Sequence, residues 1–208
     1  MAQALSGRRL GLMAVTWALA GVLLAACTGD GGDGGGTADG EGASGRDGRT
    51  EPGADDVEAV VPYVEALLAE HDRLVAEILA DPSVADDPDH ALIRQYGALF
   101  VPDSDLPDQV VQVWSDEAAA GVTVGPYDDE HPMVATSIAG EIDVVDGNEV
   151  RVPTCEVRRE RTYTDGELTG GVPERQQAGE TVAVRVDGEW LIDSRQVHDG
   201  ATCEGGAA

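Results

Sequence analysis

A change of hydrophobic period along this chain restricts its fold more than any other feature. From residue 57 to about residue 120, apolar residues recur every three or four positions, whereas from residue 134 onward they alternate with small or polar residues. The first period is typical of amphipathic helices and the second of half-buried strands. Helices followed by strands predict an α+β fold and argue against the alternating order of a parallel α/β protein.

Three helices are predicted in the first half. The longest ends at Asp81-Pro82, because the residue before a proline avoids the helical region. A shorter helix is predicted from about Pro88 to Ala98, and a third begins at Ser104 or Asp105, which are suitable N-caps. The apolar stripe of the first helix consists of Val57, Val60, Val64, Leu67, His71, Leu74 and Ile78.

Four strands are predicted in the second half, near residues 134–144, 150–164, 182–186 and 190–197. Asp146-Gly147, Asp165-Gly166 and Asp187-Gly188 separate them, and Asp-Gly between alternating segments is a strong hairpin signal. Residues 167–179 are predicted to form a longer loop, with an extra edge strand as the alternative.

Three helices followed by a meander of long antiparallel strands resemble the NTF2-like (cystatin-like α+β) superfamily. The segment from Asp187 to Val197 resembles the final hairpin of that family. More narrowly, the chain is similar to small exported actinobacterial proteins that share Pro88-Asp89-His90 and cysteines at the positions of Cys155 and Cys203. The resemblance implies three N-terminal helices packed on a curved antiparallel sheet that forms a cone, open or filled, and it implies a fold more than a function.

The N-terminus carries an export signal. Arg8-Arg9 precede an apolar run that closes with Leu24-Ala25-Ala26-Cys27, which resembles the lipobox of bacterial lipoproteins. In that family the cysteine is lipidated and the preceding residues are removed, so residues 1–26 are the predicted signal peptide. The alternatives are an ordinary cleaved signal, a twin-arginine export route, or a spanning helix, for which the run is short.

The rest of the chain divides into a tether, one domain and a tail. Residues 28–55 contain eleven glycines and seven acids, so the lipidated Cys27 and this segment (27–55) are predicted to form a disordered tether reaching roughly 30 Å. Residues 56–203 suit one α+β domain with one core. Residues 204–208 are predicted to be a flexible tail.

The charge of the chain excludes several kinds of partner. It has 40 acidic and 13 basic residues and a formal net charge of −27. Such a chain repels nucleic acid and anionic headgroups. Membrane attachment is therefore expected through lipid at Cys27 and not through the protein surface. Together with the lipobox-like pattern, this gives the extracytoplasmic face of the cell membrane as the predicted location. A small apolar ligand or an envelope protein is the expected partner, and no cofactor is expected.

Cys155 and Cys203 remain once Cys27 carries lipid. An even pair of cysteines in an oxidising compartment predicts a disulfide. A metal site is the alternative, but two isolated cysteines lack the close spacing of zinc ligands.

His71 is the leading candidate for chemistry, because it lies within the apolar stripe of the first helix. It could act as a general acid or base in the cone, with Tyr63 and Tyr96 near it. Alternatively, it is a core histidine with one hydrogen-bond partner. No acid at a clearly inward strand position completes a His–Asp pair.

Arg159 and Arg161 form a second candidate site. On a strand they point to one face together with Cys155, while Arg158 and Glu160 point to the other. Two arginines on one face could bind a carboxylate or phosphate. Alternatively, they pair across the sheet with acids such as Asp143 or Glu141.

Two acidic runs end in histidine, at residues 86–90 and 128–131, but neither has the spacing of a known cation loop, so no metal site is predicted.

The leading hypothesis is a lipid-anchored binding or interaction module of the cell envelope without catalysis. The alternative is a cone-pocket acid–base enzyme of the isomerase or dehydratase kind. A third hypothesis is a spacing element of a larger envelope complex.

Overall fold

The structure, a computed structural model, describes residues 53–54, 56–198 and 200–203. The predicted signal peptide, Cys27, most of the tether and the tail lie outside the described residues. The elements are α1 (Val57–Ala80), a 3₁₀ helix (Pro82–Asp86), α2 (Ala91–Gly97), α3 (Leu106–Ala119), β1 (Val122–Pro126), β2 (Val134–Ile138), β3 (Asp143–Asp146), β4 (Glu149–Thr164), β5 (Glu167–Val186) and β6 (Glu189–Val197).

The six strands form one antiparallel sheet around β4. Strand β4 pairs with β5 on one side and with β1, β2 and β3 in succession on the other, and β6 continues the sheet beyond β5. Three helices packed on this sheet confirm the predicted α+β fold class. The last two hairpins turn as Asp-Gly predicts, with positive φ at Asp165 and Gly166 and again at Asp187 and Gly188.

The observed strands differ from the predicted ones in three places. The predicted loop at residues 167–179 was wrong, because these residues form the first part of the 20-residue strand β5. Its first nine residues are mostly exposed and include Gly170, Gly171 and Pro173, so they show no alternation of apolar and polar positions. Strand β1 was not predicted, and the predicted strand at 134–144 is divided into β2 and β3.

The core lies between helix α1 and one face of the sheet. Helix α1 starts after Asp56, whose side chain accepts a hydrogen bond from the Ala59 amide at 3.2 Å. Its buried residues are Val60, Val64, Leu67, Leu68, His71, Asp72, Leu74, Val75, Ile78 and Leu79. Val150 and Val152 of β4 and Ile192 of β6 are fully buried in the same core. Helix α1 is therefore buried over a wider face than its predicted stripe.

Both ends of the domain are attached to the sheet. Ala54 is fully buried and its amide donates to the Gly147 carbonyl at 3.1 Å, so the described fold begins before Asp56. The structure joins Cys155 to Cys203 in a disulfide with an S–S distance of 1.95 Å and a Cα–Cα distance of 5.6 Å. The two cysteines are 48 residues apart in the sequence. In the chain-entropy model, a disulfide that closes a loop of this length stabilises a fold by about 4 kcal/mol. Among the described residues, no helix is long and apolar enough to cross a membrane.

Candidate functional site

The polar centre of the domain is built on two adjacent residues of helix α1. His71 and Asp72 are 7 % and 5 % exposed, and both lie on the wide face that packs against the sheet. Burying a carboxylate is costly unless it is paired and hydrogen-bonded. The strands that pack against His71 and Asp72 must therefore supply hydrogen-bonding and charged partners.

A bulge in strand β6 supplies the main partner. Ala183 of β5 lies opposite Ile192, but the preceding residue Val182 lies opposite Ser194, so Asp193 is an extra residue in β6. A bulge reverses the side-chain alternation of the strand that carries it. As a result Arg195 joins Ile192 on the core face, and its side chain is only 9 % exposed.

The Arg195 guanidinium connects three elements. Its Nη1 lies 2.6 Å from His71 Nδ1 and 3.2 Å from His71 Nε2, and its Nη2 donates to Thr136 Oγ1 at 2.7 Å and to Glu156 Oε2 at 2.8 Å. Because a guanidinium can only donate, the ring nitrogen that pairs with it carries a lone pair, and the imidazole is neutral. Asp72 Oδ1 lies 3.8 Å from the same guanidinium.

Asp72 attaches helix α1 to strand β2. Its carboxylate accepts from the Thr136 amide at 2.5 Å and from Thr136 Oγ1 at 2.9 Å. Thr136 thus donates to Asp72 while its hydroxyl oxygen accepts from Arg195. His71 Nδ1 also lies 3.3 Å from Asp72 Oδ1, within hydrogen-bond distance, so the carboxylate and the Arg195 guanidinium both contact the imidazole.

Further ion pairs lie along strand β4. Arg158 Nε donates to Glu156 Oε1 at 2.5 Å, and Arg158 Nη1 lies 3.8 Å from Glu160 Oε2. Glu160 Oε1 in turn lies 3.9 Å from Arg175 Nη2 on β5. Burial acts to raise the pKa of Glu156, but the charges of Arg158 and Arg195 outweigh it and lower the pKa. Buried acids and arginines therefore compensate one another.

His71 is held in its neutral form. Burial lowers its pKa from the ordinary 6.5, and the charge of Arg195 lowers it further, against the opposing effects of Asp72 and Glu156. We call His71, Asp72, Thr136, Glu156, Arg158 and Arg195 the interior network.

The tyrosines predicted beside His71 are placed differently from one another. Tyr96 packs against His71 with ring centroids 5.7 Å apart, and against Phe100 and Trp114 at 5.1 and 4.9 Å. Burial raises the pKa of Tyr96, so its hydroxyl is neutral and a poor base. Tyr63 instead lines a cleft on the outer side of helix α1.

Arg159 and Arg161 lie on the face of β4 opposite the interior network. Arg159 Nη2 pairs with Glu174 Oε2 of β5 at 2.7 Å, so this residue pairs across the sheet with an acid as expected, but with Glu174 and not with Asp143 or Glu141. The Arg161 guanidinium lies 5.0 Å from the centre of the Tyr127 ring. Both arginines are engaged by different partners and do not converge on one ligand.

Two clefts flank helix α1. The α1–β6 cleft, about 320 Å³ in volume, is lined by Pro62, Tyr63, Ala66, Leu67, Glu70, Leu99 and Trp190. The α1–β2 cleft, about 540 Å³, is lined by Ala69, Asp72, Arg73, Ala76, Glu77, Pro132, Met133, Val134, Ala135 and Thr136. His71 lines neither of them. The ring that sequence reasoning favoured for chemistry is therefore enclosed by protein.

The remaining histidines near acids have local structural roles. His90 caps helix α2 by accepting from the Leu92 amide at 3.3 Å, and His131 Nδ1 lies 3.0 Å from Asp128 Oδ1. Across the part of the chain that the structure describes, no three His, Cys, Asp or Glu side chains are placed to hold a metal ion.

Several solved structures, among them NTF2-like proteins, match part of this chain. The chain matches the intermembrane space region of the chloroplast protein ARC6 with 11% identity and a TM-score of 0.48, over 66% of this chain and 95% of that one. A Novosphingobium aromaticivorans protein that carries a provisional scytalone dehydratase name matches with 16% identity and a TM-score of 0.42, over 74% and 99%. An NTF-2-like protein of unknown function from Shewanella oneidensis matches with 11% identity and a TM-score of 0.41, over 66% and 98%.

At these identities and TM-scores the likeness assigns neither a family nor an activity to this chain. No protein-family model and no curated protein matches the chain.

Proposed function

We propose that this protein is a lipid-anchored, extracytoplasmic binding module that carries out no catalysis. The observation that supports this most is the enclosure of His71. Its ring lies among Arg195, Asp72, Tyr96 and Phe100, and it lines neither cleft of helix α1. A general acid or base must come within hydrogen-bond reach of the proton that it transfers, and this ring is enclosed by groups of the protein.

The interior network has a structural role in this proposal. It attaches helix α1 to strands β2, β4 and β6 through hydrogen bonds that leave no charged member unpaired. Buried charges that compensate one another define which elements pack together, but removing one partner is costly. The surface clefts then remain as the places where a ligand or partner binds.

The anchoring part of the proposal rests on the sequence. Cys27 follows Leu24-Ala25-Ala26, and residues 28–52 supply a glycine-rich spacer between the lipid and the folded domain, which includes Ala54. A single acyl chain holds a protein only marginally, so the several chains of a bacterial lipoprotein suit stable attachment of a domain with this negative charge.

Labelling with an alkyne analogue of palmitate tests the anchor. The wild-type chain is expected to incorporate the label and to fractionate with membranes, because Cys27 is the acceptor. Cys27→Ala is expected to lose both properties, while Thr28→Ala, one residue further along, keeps them. Equal labelling of Cys27→Ala and wild type would contradict lipidation at this residue.

Chemical modification tests the closed interior. Diethyl pyrocarbonate acylates accessible neutral imidazoles, and each histidine can be followed by mass spectrometry of its peptide. His131, whose side chain is 48 % exposed, is expected to react readily, and the buried His71 to stay unmodified until the protein unfolds. Comparable rates at the two residues would mean that His71 is open to small molecules, which favours the acid–base enzyme.

A further inference from the structure

We propose that the α1–β2 cleft binds an extended, basic polypeptide segment of a partner protein, which adds a short strand to the edge of β2. The inference rests on the proposed binding function, and it assigns that function a place and a partner class. It follows from the direction of the β2 backbone groups, the shape of the cleft and the charge around it.

The backbone of β2 directs hydrogen-bonding groups away from β4. The Met133 carbonyl accepts from the Arg159 amide of β4 at 2.9 Å, so this carbonyl points toward β4. In an antiparallel pair, successive residues direct their amides and carbonyls to opposite sides. Val134 therefore points away from β4, and Thr136 does so too, since its amide donates to Asp72 on helix α1. Both residues line the α1–β2 cleft, so this edge of β2 forms one of its walls.

This edge of β2 has no second strand beside it. Among the described residues, β2 pairs with β4 alone. The edge of β6 is different, because the chain covers it: the Val101 amide donates to the Ile192 carbonyl at 2.9 Å, and the Ile192 amide donates to the Leu99 carbonyl at 2.8 Å. An uncovered strand edge is a template on which an extended peptide can add a strand.

The free part of β5 is a poorer template. Strand β6 pairs with β5 from Gly179 to Val186, which leaves residues 167–177 outside that pairing. Two register shifts and Pro173 interrupt this part of β5. Bulges and proline are features by which proteins disfavour strand addition at an edge. The five residues of β2 pair with β4 without a register shift, so their outward groups keep a regular spacing.

The cleft has room for an extended chain. Its volume is about 540 Å³, within the range of ligand sites. Ala69 and Ala76, about two turns apart on helix α1, lie in the wall opposite β2, and their small side chains leave space between helix and strand. Met133 and Val134 add apolar surface. Every second side chain of an added strand points to the same face, so we expect apolar residues at alternate positions of the partner.

The arginine in the lining does not oppose a basic partner. Arg73 Nη1 donates to Glu77 Oε1 at 2.6 Å, and Arg73 Nε donates to Glu70 Oε2 at 2.9 Å. The carboxylates of the same helix therefore compensate its positive charge.

The acidic loop before β2 favours a basic partner. Asp128 pairs with His131 at 3.0 Å, whereas Asp129 and Glu130 are exposed and lie close in sequence to Pro132 of the cleft lining. A formal net charge of −27 attracts basic segments at long range and opposes a second copy of this chain. A segment with lysine or arginine at the positions between its apolar residues suits both the cleft and its surroundings.

Calorimetric titration of the full chain in neutral detergent tests the inference with hexapeptides that are acetylated and amidated. The probe alternates valine and lysine. One control alternates valine and glutamate, and the other has the sequence of the probe with a methyl group on every backbone nitrogen. The probe is expected to bind at least about tenfold more tightly than either control, because the first control is repelled and the second cannot donate backbone hydrogen bonds. Absence of saturable binding by the probe, or equal affinity of the probe and either control, would overturn the inference.

Two substitutions on helix α1 locate the binding. Ala69 and Ala66 are both exposed, but Ala69 lines the α1–β2 cleft and Ala66 the α1–β6 cleft. We expect Ala69→Leu to weaken binding of the valine–lysine probe at least about fivefold, because leucine fills the cleft, and Ala66→Leu to change it less than about twofold. Equal effects of the two variants would place the peptide elsewhere and overturn the inference.

Amide hydrogen exchange followed by NMR tests the added strand itself. The Val134 amide points away from β4 and should exchange at least about tenfold more slowly with the probe bound, because it then donates to the peptide. The Ala135 amide, which points toward β4, should change less than about twofold. Unchanged exchange at Val134 with saturating probe would rule out strand addition.

Neutral variants test the acidic loop. Asp129→Asn combined with Glu130→Gln should weaken binding of the probe about fivefold. Glu167→Gln combined with Glu189→Gln removes the same charge at exposed positions of β5 and β6 and should change binding less than about twofold. Equal losses would mean that only the overall charge attracts the probe, which contradicts a local basic site. Failure of these tests leaves lipidation at Cys27 and the closed interior intact, since these are measured separately.

Discussion

Helix α1 carries polar residues on two sides, and the two sides differ in what completes them. On the sheet side, His71 and Asp72 are buried, and Arg195, Thr136 and other residues of the protein occupy their hydrogen-bonding positions. On the side that faces Leu99 and Trp190, Tyr63 and Glu70 line the α1–β6 cleft. Asp72 and Thr136 also line the α1–β2 cleft, whereas His71 lines neither cleft. Helix α1 therefore carries one enclosed candidate for chemistry, His71, and one candidate at a cleft, Tyr63.

The largest expected effect comes from removing the arginine that completes the sheet side. Arg195→Met leaves Glu156 and Asp72 without their shared cation in the interior, and breaking a buried pair costs roughly 3–5 kcal/mol. Urea unfolding measures the change. Arg161→Met, an exposed residue on the same sheet, is the control and should stay within about 0.5 kcal/mol of wild type. If Arg195→Met lowered the free energy of unfolding by less than about 1 kcal/mol, Arg195 would not be the residue that stabilises the buried acids.

Thr136→Val should have a moderate effect. The hydroxyl links Arg195 to Asp72, and valine keeps its shape while leaving both charged groups short of a hydrogen bond. The expected loss in unfolding free energy is about 1–3 kcal/mol. Ser137→Ala, on the exposed neighbouring residue, should change stability by less than about 0.5 kcal/mol. Similar values for the two variants would show that the link contributes nothing to stability.

Acid should weaken the sheet side in a defined window. The pKa of His71 is lowered in the folded protein, so below the ordinary value of 6.5 the unfolded chain binds a proton that the folded one resists. Stability is therefore fully present above pH 6.5 and falls as the pH drops below it. The pKa of Glu156 is lowered from 4.5 in the folded protein, so its protonation reduces the free energy of unfolding only in more acidic solution.

The contribution of His71 is isolated by comparison with His71→Gln. The unfolding free energy of wild type should fall more steeply than that of the variant as the pH is lowered from 6.5. If the unfolding free energies of the two proteins fell equally with pH, the pKa of His71 would be the same in the folded and the unfolded chain.

The smallest effect on stability is expected at the open side. Glu70→Gln removes an ion pair whose carboxylate side chain is 36 % exposed, and such pairs contribute at most about 1 kcal/mol. The free energy of unfolding should stay within that range of the wild-type value. A large loss of stability would place Glu70 with the buried residues and remove the distinction between the two sides.

The sequence predicts most of the secondary structure but only part of the interior network. The helical stripe identifies His71 as inward. The expectation that no acid lies at an inward strand position was wrong, because Glu156 is buried on the same face of β4 as Val150 and Val152. Asp72 escapes the prediction because helix α1 is buried over a wider face than one stripe.

Arg195 is the residue that sequence reasoning misses for a definite physical reason. Counting in twos from Trp190 and Ile192 directs Ser194 inward, whereas the extra residue Asp193 reverses the alternation and brings Arg195 to the core face. A bulge depends on tertiary pairing, so alternation alone does not reveal it. The first part of β5 escapes for a related reason, since its exposed residues carry no hydrophobic period.

Nitrogen-15 NMR of the His71 imidazole through a pH titration tests the closed interior most directly. Because the Arg195 guanidinium can only donate to the ring, the imidazole should be neutral, and its pKa should lie below the ordinary 6.5. An imidazole protonated on both nitrogens at neutral pH, or a pKa at or above 6.5, would contradict the account and return His71 to the position of an available acid–base group.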